Sequence, residues 1–331
     1  MNIQLISFTD RGELLARRLA DLLPGQAARC NAQEPLAHWT ARCFPRADGL
    51  VFVGATGIAV RAIAPHLRSK VEDPAVVVVD EQGRFAVPVL SGHLGGANDL
   101  ARRIAALLGA MPVITTATDV NGVFAVDEWA RRQHCSILNP ERIKLISSRL
   151  LAGRAVLLQS RWPIAGDPPE GISVAREGDC DAVLTPIRPD REALILVPHI
   201  AVLGVGCRRG TPQATLEAAF QALLDRSHLL PQVFCRVCSI DLKSEEPGLL
   251  AFCRSHGLPL ETFSAPQLSR VAGDFTSSPF VQKVTGVDNV CERAAVLGSG
   301  GSLYWKKTAG NGVTMAVALA PFSPDWRWKD E

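Results

Sequence analysis

Three short loops hold the residues best suited to chemistry, each a glycine-rich turn between an apolar run and a following amphipathic segment. In Ser91-Gly-His-Leu-Gly-Gly-Ala-Asn98-Asp99, glycines flank His93, so little bulk shields an imidazole that can titrate near neutrality and move protons. The same histidine could equally hydrogen-bond its own loop, and Asn98 and Asp99 suit the first turn of a helix as well as a ligand. Gly54-Ala-Thr56-Gly57, with Arg61 one turn on, offers a hydroxyl and a cation. Gly204-Val-Gly206-Cys-Arg208-Arg209-Gly210-Thr211 places two guanidinium groups at a helix start, where cations do little for the helix and more for a bound carboxylate. Thr115-Thr116-Ala-Thr-Asp119 ends a strand with three hydroxyls and a carboxylate. Lys306 and Lys307 close another strand, where edge protection is a competing use.

Glycine lets a backbone approach a ligand, and the free amides of the next helix attract anions, so loops of this kind make local anion sites. None carries a nucleotide fingerprint: the third reads G-x-G-x-x-x-G, and G-x-x-x-x-G-K-[ST] is absent.

The elements that must position these loops follow from hydrophobic periodicity. Strands are expected at Ile3–Phe8, Gly49–Val53, Ala75–Val79, Phe85–Leu90 and Pro112–Thr116, with helices at Arg11–Leu23, Ile58–Leu67 and Asn98–Leu108. That alternation predicts an N-terminal α/β sheet domain over 1–120. A small middle α/β region or elaborated linker is expected over 121–198, with a helix opened by Asn139-Pro140. A C-terminal mixed α/β domain over 199–331 should hold strands Ile200–Val205 and Val233–Leu242, a helix from Gln213 capped by Thr211, and a hairpin turning at Asn311-Gly312.

Thirty-five basic and thirty-three acidic side chains leave a formal charge of +2, so no global field draws the chain to nucleic acid or lipid, and anion recognition must be local. Asp10, Arg11 and Glu13 stand where a signal peptide would be apolar, and no apolar run reaches membrane-spanning length; the expectation is a soluble, cytoplasmic protein. Nine cysteines without framework spacing read as reduced thiols. Cys235-Arg-Val-Cys238 has the spacing of a metal or redox pair but lacks a second pair, and core thiols are the favoured reading.

The strings Gly54-Ala-Thr-Gly-Ile-Ala-Val-Arg61, Ala64-Pro65, Ser69-Lys70, Asp73-Pro74 with the valine run to Asp80, Ser91–Asn98 and Thr115–Asp119 resemble the cobalt-precorrin 5A hydrolase family of anaerobic cobalamin biosynthesis. So do Gly204–Gly210, Ser239–Lys243 with Glu246, and Val290-Cys-Glu-Arg-Ala-Ala295, which are similar to the family's C-terminal domain. Asp99 stands where Glu is associated with the family, and Cys291 where Ser is. The resemblance implies a hydrolase acting on a carbon–carbon bond, which opens the δ-lactone of a cobalt-tetrapyrrole and releases acetaldehyde. It implies cobalt carried by the substrate and no metal or cofactor held by the protein. Homodimerisation or transient contact with neighbouring pathway enzymes is compatible with it. A non-catalytic tetrapyrrole carrier, and more distantly a phosphate-ester enzyme, are the competing readings.

Such a reaction needs a positioned water, a base and donors for the charge on the lactone oxygen. The expected assignment makes His93 the acid/base, the Gly95–Asn98 amides the anion donors, and Thr56 or Thr116 the groups that orient water. Gly54, Gly57, Arg61, Ser91, Gly95, Gly96, Asn98, Asp119, Gly206, Arg208, Arg209 and Lys306 are the expected substrate contacts.

Overall fold

The computed structural model describes residues 2–69, 72–175 and 178–328; Lys70, part of the Ser69-Lys70 string, lies outside them. The protein is α/β, and the chain divides into two compact units. The first runs to Arg131 and takes in Ile143–Ala155 and the stretch from Arg327; the second comprises Arg132–Arg142 and Val156–Trp326.

In the first unit, β1 (Ile3–Ser7), β2 (Gly25–Arg29), β3 (Gly49–Val53), β4 (Ala75–Val79), β5 (Phe85–Leu90) and β6 (Met111–Pro112) form a sheet ordered β2-β1-β3-β4-β5-β6. β3 and β4 are buried at every residue because helices cover both faces. Val51 and Val53 join the core made with α1 (Asp10–Leu22) and α4 (Ala97–Leu108), while Leu50 and Phe52 meet α2 (Leu36–Cys43) and α3 (Thr56–Ile63). α1 is capped by Thr9, whose hydroxyl accepts from the Gly12 amide; its Ala16 and Leu19 are buried while Leu14 is solvent-exposed.

β1 to β4 run parallel, but β5 is antiparallel to β4, with Val76 opposite Leu90. The four-residue turn Glu81–Arg84 allows only a hairpin, since a parallel return would need a crossover of a dozen residues. β5 therefore delivers the Ser91 loop to the edge where β3 and β4 begin. β6 extends for two residues only, because the chain turns at Thr116 into the single-turn α5 (Ala117–Val120), followed by α6 (Val126–Arg132) and α7 (Ile143–Leu151).

In the second unit, β7 (Cys135–Ile137), β8 (Val156–Ser160), β9 (Ile172–Ala175), β10 (Ala182–Leu184) and β11 (Leu194–Pro198) form a sheet ordered β7-β11-β10-β8-β9. A helical turn opens at Pro140, as expected, and runs into α7, but the Asn139 side chain does not cap it and binds the Ala193 carbonyl and the Ile195 amide beside β11. A further sheet, ordered β14-β13-β12-β16-β15, is built from β12 (Ala201–Cys207), β13 (Phe234–Ile240), β14 (Leu260–Phe263), β15 (Ser302–Gly310) and β16 (Val313–Leu319). α8 (Gln213–Ser227) and α9 (Pro247–Ser255) contribute to the core on one face. The other core receives α10 (Ala265–Ser269) and α12 (Cys291–Ser299), with Val281 of α11 (Pro279–Thr285) against it.

Asn311 and Gly312 both have positive φ, +49° and +78°, the requirement of the two-residue turn expected there. Thr211 is not the cap of α8: its hydroxyl donates to the Arg208 carbonyl, and Pro212 holds the cap position. Cys238 is fully buried and pushed up to about 12 by that burial, while the Cys235 thiol donates to the Ala201 carbonyl. A register shift between Phe234 and Arg236 makes Cys235 the extra residue of a bulge, and both side chains pack against the same core.

Candidate active site

The Ser91 loop folds onto itself. The Gly96 amide donates to the His93 carbonyl at 3.0 Å, Ala97 to Ser91 at 3.0 Å and Asn98 to Gly92 at 2.9 Å. The expectation that the Gly95–Asn98 amides bind an anion is thereby corrected for three of them, because loop carbonyls already take their hydrogens. The glycines serve this compaction: a Cβ at Gly95 would lie 2.4 Å from that of Ser91, and Gly96 has φ +81°.

What the loop presents is His93, inside a network of charged side chains. Nε2 lies 2.8 Å from Asp119 Oδ2, and Nδ1 lies 3.3 Å from Asp127 Oδ2. The Thr118 hydroxyl is 3.4 Å from Nε2. The Asn98 amide donates to Asp119 Oδ2 at 3.0 Å and to the Thr116 hydroxyl at 3.2 Å. Arg102 bonds the other Asp119 oxygen, donates to Asp99 at 2.9 Å, and comes within 3.6 Å of Glu128. Arg131 closes on Asp99 from α6.

Burial opposes charge on His93, but the hydrogen bonds and negative charges of Asp119 and Asp127 outweigh it and carry the imidazole up to about 10. The expected titration near neutrality is corrected: with its neighbours alone around it, the ring keeps its proton through pH 7. Glu128 moves the opposite way for a carboxyl, up to about 7, through burial and then the charge of Asp99. Desolvation would raise Asp119, yet bonding and charge from His93 and then Arg102 hold it below its ordinary value. Three oxygens in the cluster are buried without a hydrogen-bond partner among the described residues: Ser91 Oγ, Asp127 Oδ1 and Glu128 Oε2.

Of the expected residues, His93, Ser91, Gly95, Gly96, Asn98, Thr116 and Asp119 come together here. Thr56 does not. It follows β3, at the far end of the sheet from the Ser91 loop, so roughly 15 Å of strand at ~3.3 Å per residue separates them. Gly54, packed against Phe8, shares that far edge with Gly57 and the exposed Arg61. In the second unit, Arg208 lies over Gly312, its amide donating to the Gly312 carbonyl, and Arg209 is exposed beside it. The Gly210 amide is taken by Glu246, which Lys243 also holds. Gly206 accepts from Thr314, and Lys306 pairs with Asp274 in solvent.

Sequence reasoning missed Arg102, Asp127, Glu128 and Arg131. A signal for Arg102 existed, because Asn98 and Arg102 are one turn apart on the same helix face. Asp127 and Glu128 read as ordinary acidic residues of a helix's first turn, and nothing local shows that α6 aims them at a loop thirty residues back.

Fold and site together define an α/β protein whose first unit holds a half-buried histidine between two carboxylates, within a network of further carboxylates and guanidinium groups. The family description Cobalamin synthesis G N-terminal matches residues 38–119, and Cobalamin synthesis G C-terminus matches residues 201–318. The cobalt-precorrin-5A hydrolase of Salmonella typhimurium is 35% identical over 347 aligned residues, covering 96% of this chain and 98% of the relative. That of Priestia megaterium is 33% identical, covering 84% and 80%. A probable cobalt-precorrin-5A hydrolase of Methanocaldococcus jannaschii is 26% identical, covering 96% and 99%. The chain belongs to the cobalt-precorrin-5A hydrolase family.

Proposed function

We propose that this protein hydrolyses the δ-lactone of cobalt-precorrin 5A and releases acetaldehyde, with the chemistry at the His93 cluster. The supporting observation is the placement of His93 between Asp119 and Asp127, in a loop inside the N-terminal family match. Water adds to the lactone carbonyl and the acyl–oxygen bond breaks, leaving a carboxylic acid and a carbinol on the methyl-bearing bridge carbon. Loss of the carbinol proton with cleavage of the bond to the ring expels acetaldehyde; the electron pair left on the ring carbon takes up a proton. Water is consumed once, and no oxidant or reductant is required.

Each step needs a donor or acceptor close to the substrate. Asp127 holds the ring of His93 through Nδ1, which turns Nε2 toward Asp119 and the Thr118 hydroxyl, the groups proposed to border the substrate. Asn98 and Arg102 orient Asp119, while Thr116 and Thr118 supply hydroxyls for water or for the lactone oxygen. In the second unit, the exposed Arg208, Arg209 and Lys306 are proposed carboxylate-binding groups. Among the described residues no helix is long and apolar enough to cross a membrane, which accords with the proposed cytoplasmic location.

Incubation with enzymatically prepared cobalt-precorrin 5A under anaerobic conditions tests the activity. One acetaldehyde per substrate, with a wild-type time course that depends on enzyme concentration, is the expected result. Tight binding with the substrate recovered unchanged would instead establish a carrier.

A further inference from the structure

We propose that His93, Asp119 and Glu128 form a binding site for one divalent transition-metal ion, of the class that favours mixed nitrogen and oxygen ligands, such as zinc or manganese. The ligands are His93 Nε2 and one carboxylate oxygen from each acid; what the ion would do there rests on the hydrolase reading above, whereas its binding does not.

Spacing is the first argument. One ligand atom from each of the three residues lies within 4.8 Å of the others, and His93 Nε2 and Asp119 Oδ2 are 2.8 Å apart. Tetrahedral zinc with ligand bonds of ~2.0–2.1 Å needs donors about 3.3 Å apart, inside that range and within reach of small side-chain rotations.

The second argument is independent of the clustering. Glu128 is 1% exposed, its Oε2 has no hydrogen-bond partner among the described residues, and its carboxylate faces His93 and Asp119. A buried carboxylate oxygen left without a donor is costly unless something else satisfies it. Arg102 does not reach Oε2; it lies 3.6 Å from Oε1.

The surroundings supply what a metal ligand set requires. Asp127 takes the Nδ1 side of the imidazole, which orients Nε2 inward, as the outer carboxylate of a carboxylate–histidine–metal arrangement does. Arg102 engages Asp119 through Oδ1 and leaves Oδ2 on the His93 side. In the cluster Asp99, Asp119 and Glu128 pair with Arg102 or Arg131 and Asp127 with His93; with the imidazole neutral as a metal ligand, four carboxylates against two guanidinium groups leave two negative charges for a dication to match. Three protein ligands leave a position for water or a substrate oxygen, as in catalytic rather than structural sites. There the ion would activate water for attack on the lactone carbonyl.

The full-length protein, stripped with a chelator and dialysed, would be titrated with zinc chloride and separately with manganese chloride by calorimetry, with metal content after gel filtration read by mass spectrometry. One equivalent of at least one metal per chain is expected, together with a rise in the unfolding temperature of the wild type. Glu128→Gln and Asp119→Asn should each weaken binding by about 100-fold or more, Asp127→Asn by about 10–100-fold, and Thr56→Ala not at all. Absence of stoichiometric binding and of thermal stabilisation by both metals in the wild type would overturn the site, as would wild-type affinity in a folded Glu128→Gln protein. Stoichiometric, variant-sensitive binding without acetaldehyde release would keep the site and reject the hydrolase reading. Full-rate release by protein shown to be metal-free would keep the hydrolase and remove the ion's catalytic role.

Discussion

Replacing Glu292 with glutamine should destabilise the second unit although the change alters the side chain by little more than one atom. Glu292 is fully buried in the first turn of α12 and accepts four hydrogen bonds. Oε2 takes the Thr276 amide and the Asn289 side-chain amide, both at 2.7 Å; Oε1 takes the Lys307 amide at 2.7 Å and the Thr276 hydroxyl at 3.1 Å. A glutamine has one oxygen for these donors. Its better placement puts that oxygen at the Oε2 position and its NH2 where Oε1 was; the Thr276 hydroxyl can turn to accept, but the Lys307 amide then faces another N–H. One buried donor is orphaned, at about 1–3 kcal/mol. Glu292→Ala orphans the amides of Thr276, Asn289 and Lys307 together, and on the same scale costs about 3–9 kcal/mol before any water enters the gap. Urea unfolding followed by far-UV circular dichroism gives both values. A Glu292→Gln midpoint equal to wild type would refute the reasoning and show that this carboxylate does not tie the Thr276 segment and β15 to the start of α12.

The other predictions reach different parts of the molecule. Gly204→Ala should cost at least about 3 kcal/mol or prevent soluble expression, because its Cβ would fall 1.8 Å from the Cys291 carbonyl oxygen of α12, a backbone atom in a packed core; thermal melting checks this. Gly312→Ala should lower stability by about 1 kcal/mol or more, since φ is +78° and Arg208 Cδ lies 2.9 Å from the new Cβ, with a matching change in the melting temperature. Native protein treated with an alkylating agent at pH 8 should leave Cys238 and Cys291 unmodified, both thiols being buried and pushed up to about 12; peptide mass mapping reads it, and rapid labelling of either would be inconsistent with the core-thiol role. Asp127→Asn should lower kcat for acetaldehyde release by about 10–100-fold with a smaller effect on KM, as loss of a ring-orienting partner does.

Much of the fold was legible in local pattern. The unbroken apolar runs of β3 and β4 need two covered faces, and Asn311-Gly312 allows one kind of turn. β2 and α2 were missed because Gly25–Arg29 is short and carries no alternation, and Leu36–Cys43 is a two-turn helix. The site was half legible. His93, Asn98, Thr116 and Asp119 stand in loops whose residue types advertise chemistry. Their partners Asp127 and Glu128 become visible only when α6 is folded back, a long-range event with no trace in spacing. The largest misjudgement concerned Thr56: three loops of similar composition look equivalent in sequence, but the antiparallel insertion of β5 sends the Ser91 loop to the opposite edge from Gly54–Gly57. Strand direction, not loop composition, decides which loops can share a substrate.

The central claim is that lactone hydrolysis takes place at the His93 edge of the first sheet. Its most direct test is kcat/KM for acetaldehyde release by His93→Ala and Thr56→Ala beside the wild type, each verified as folded. The account predicts a loss of about 10²–10⁴-fold for His93→Ala and a change of less than about threefold for Thr56→Ala. Wild-type turnover by His93→Ala, or a loss confined to Thr56→Ala, would contradict it and move the chemistry to the other edge of the sheet.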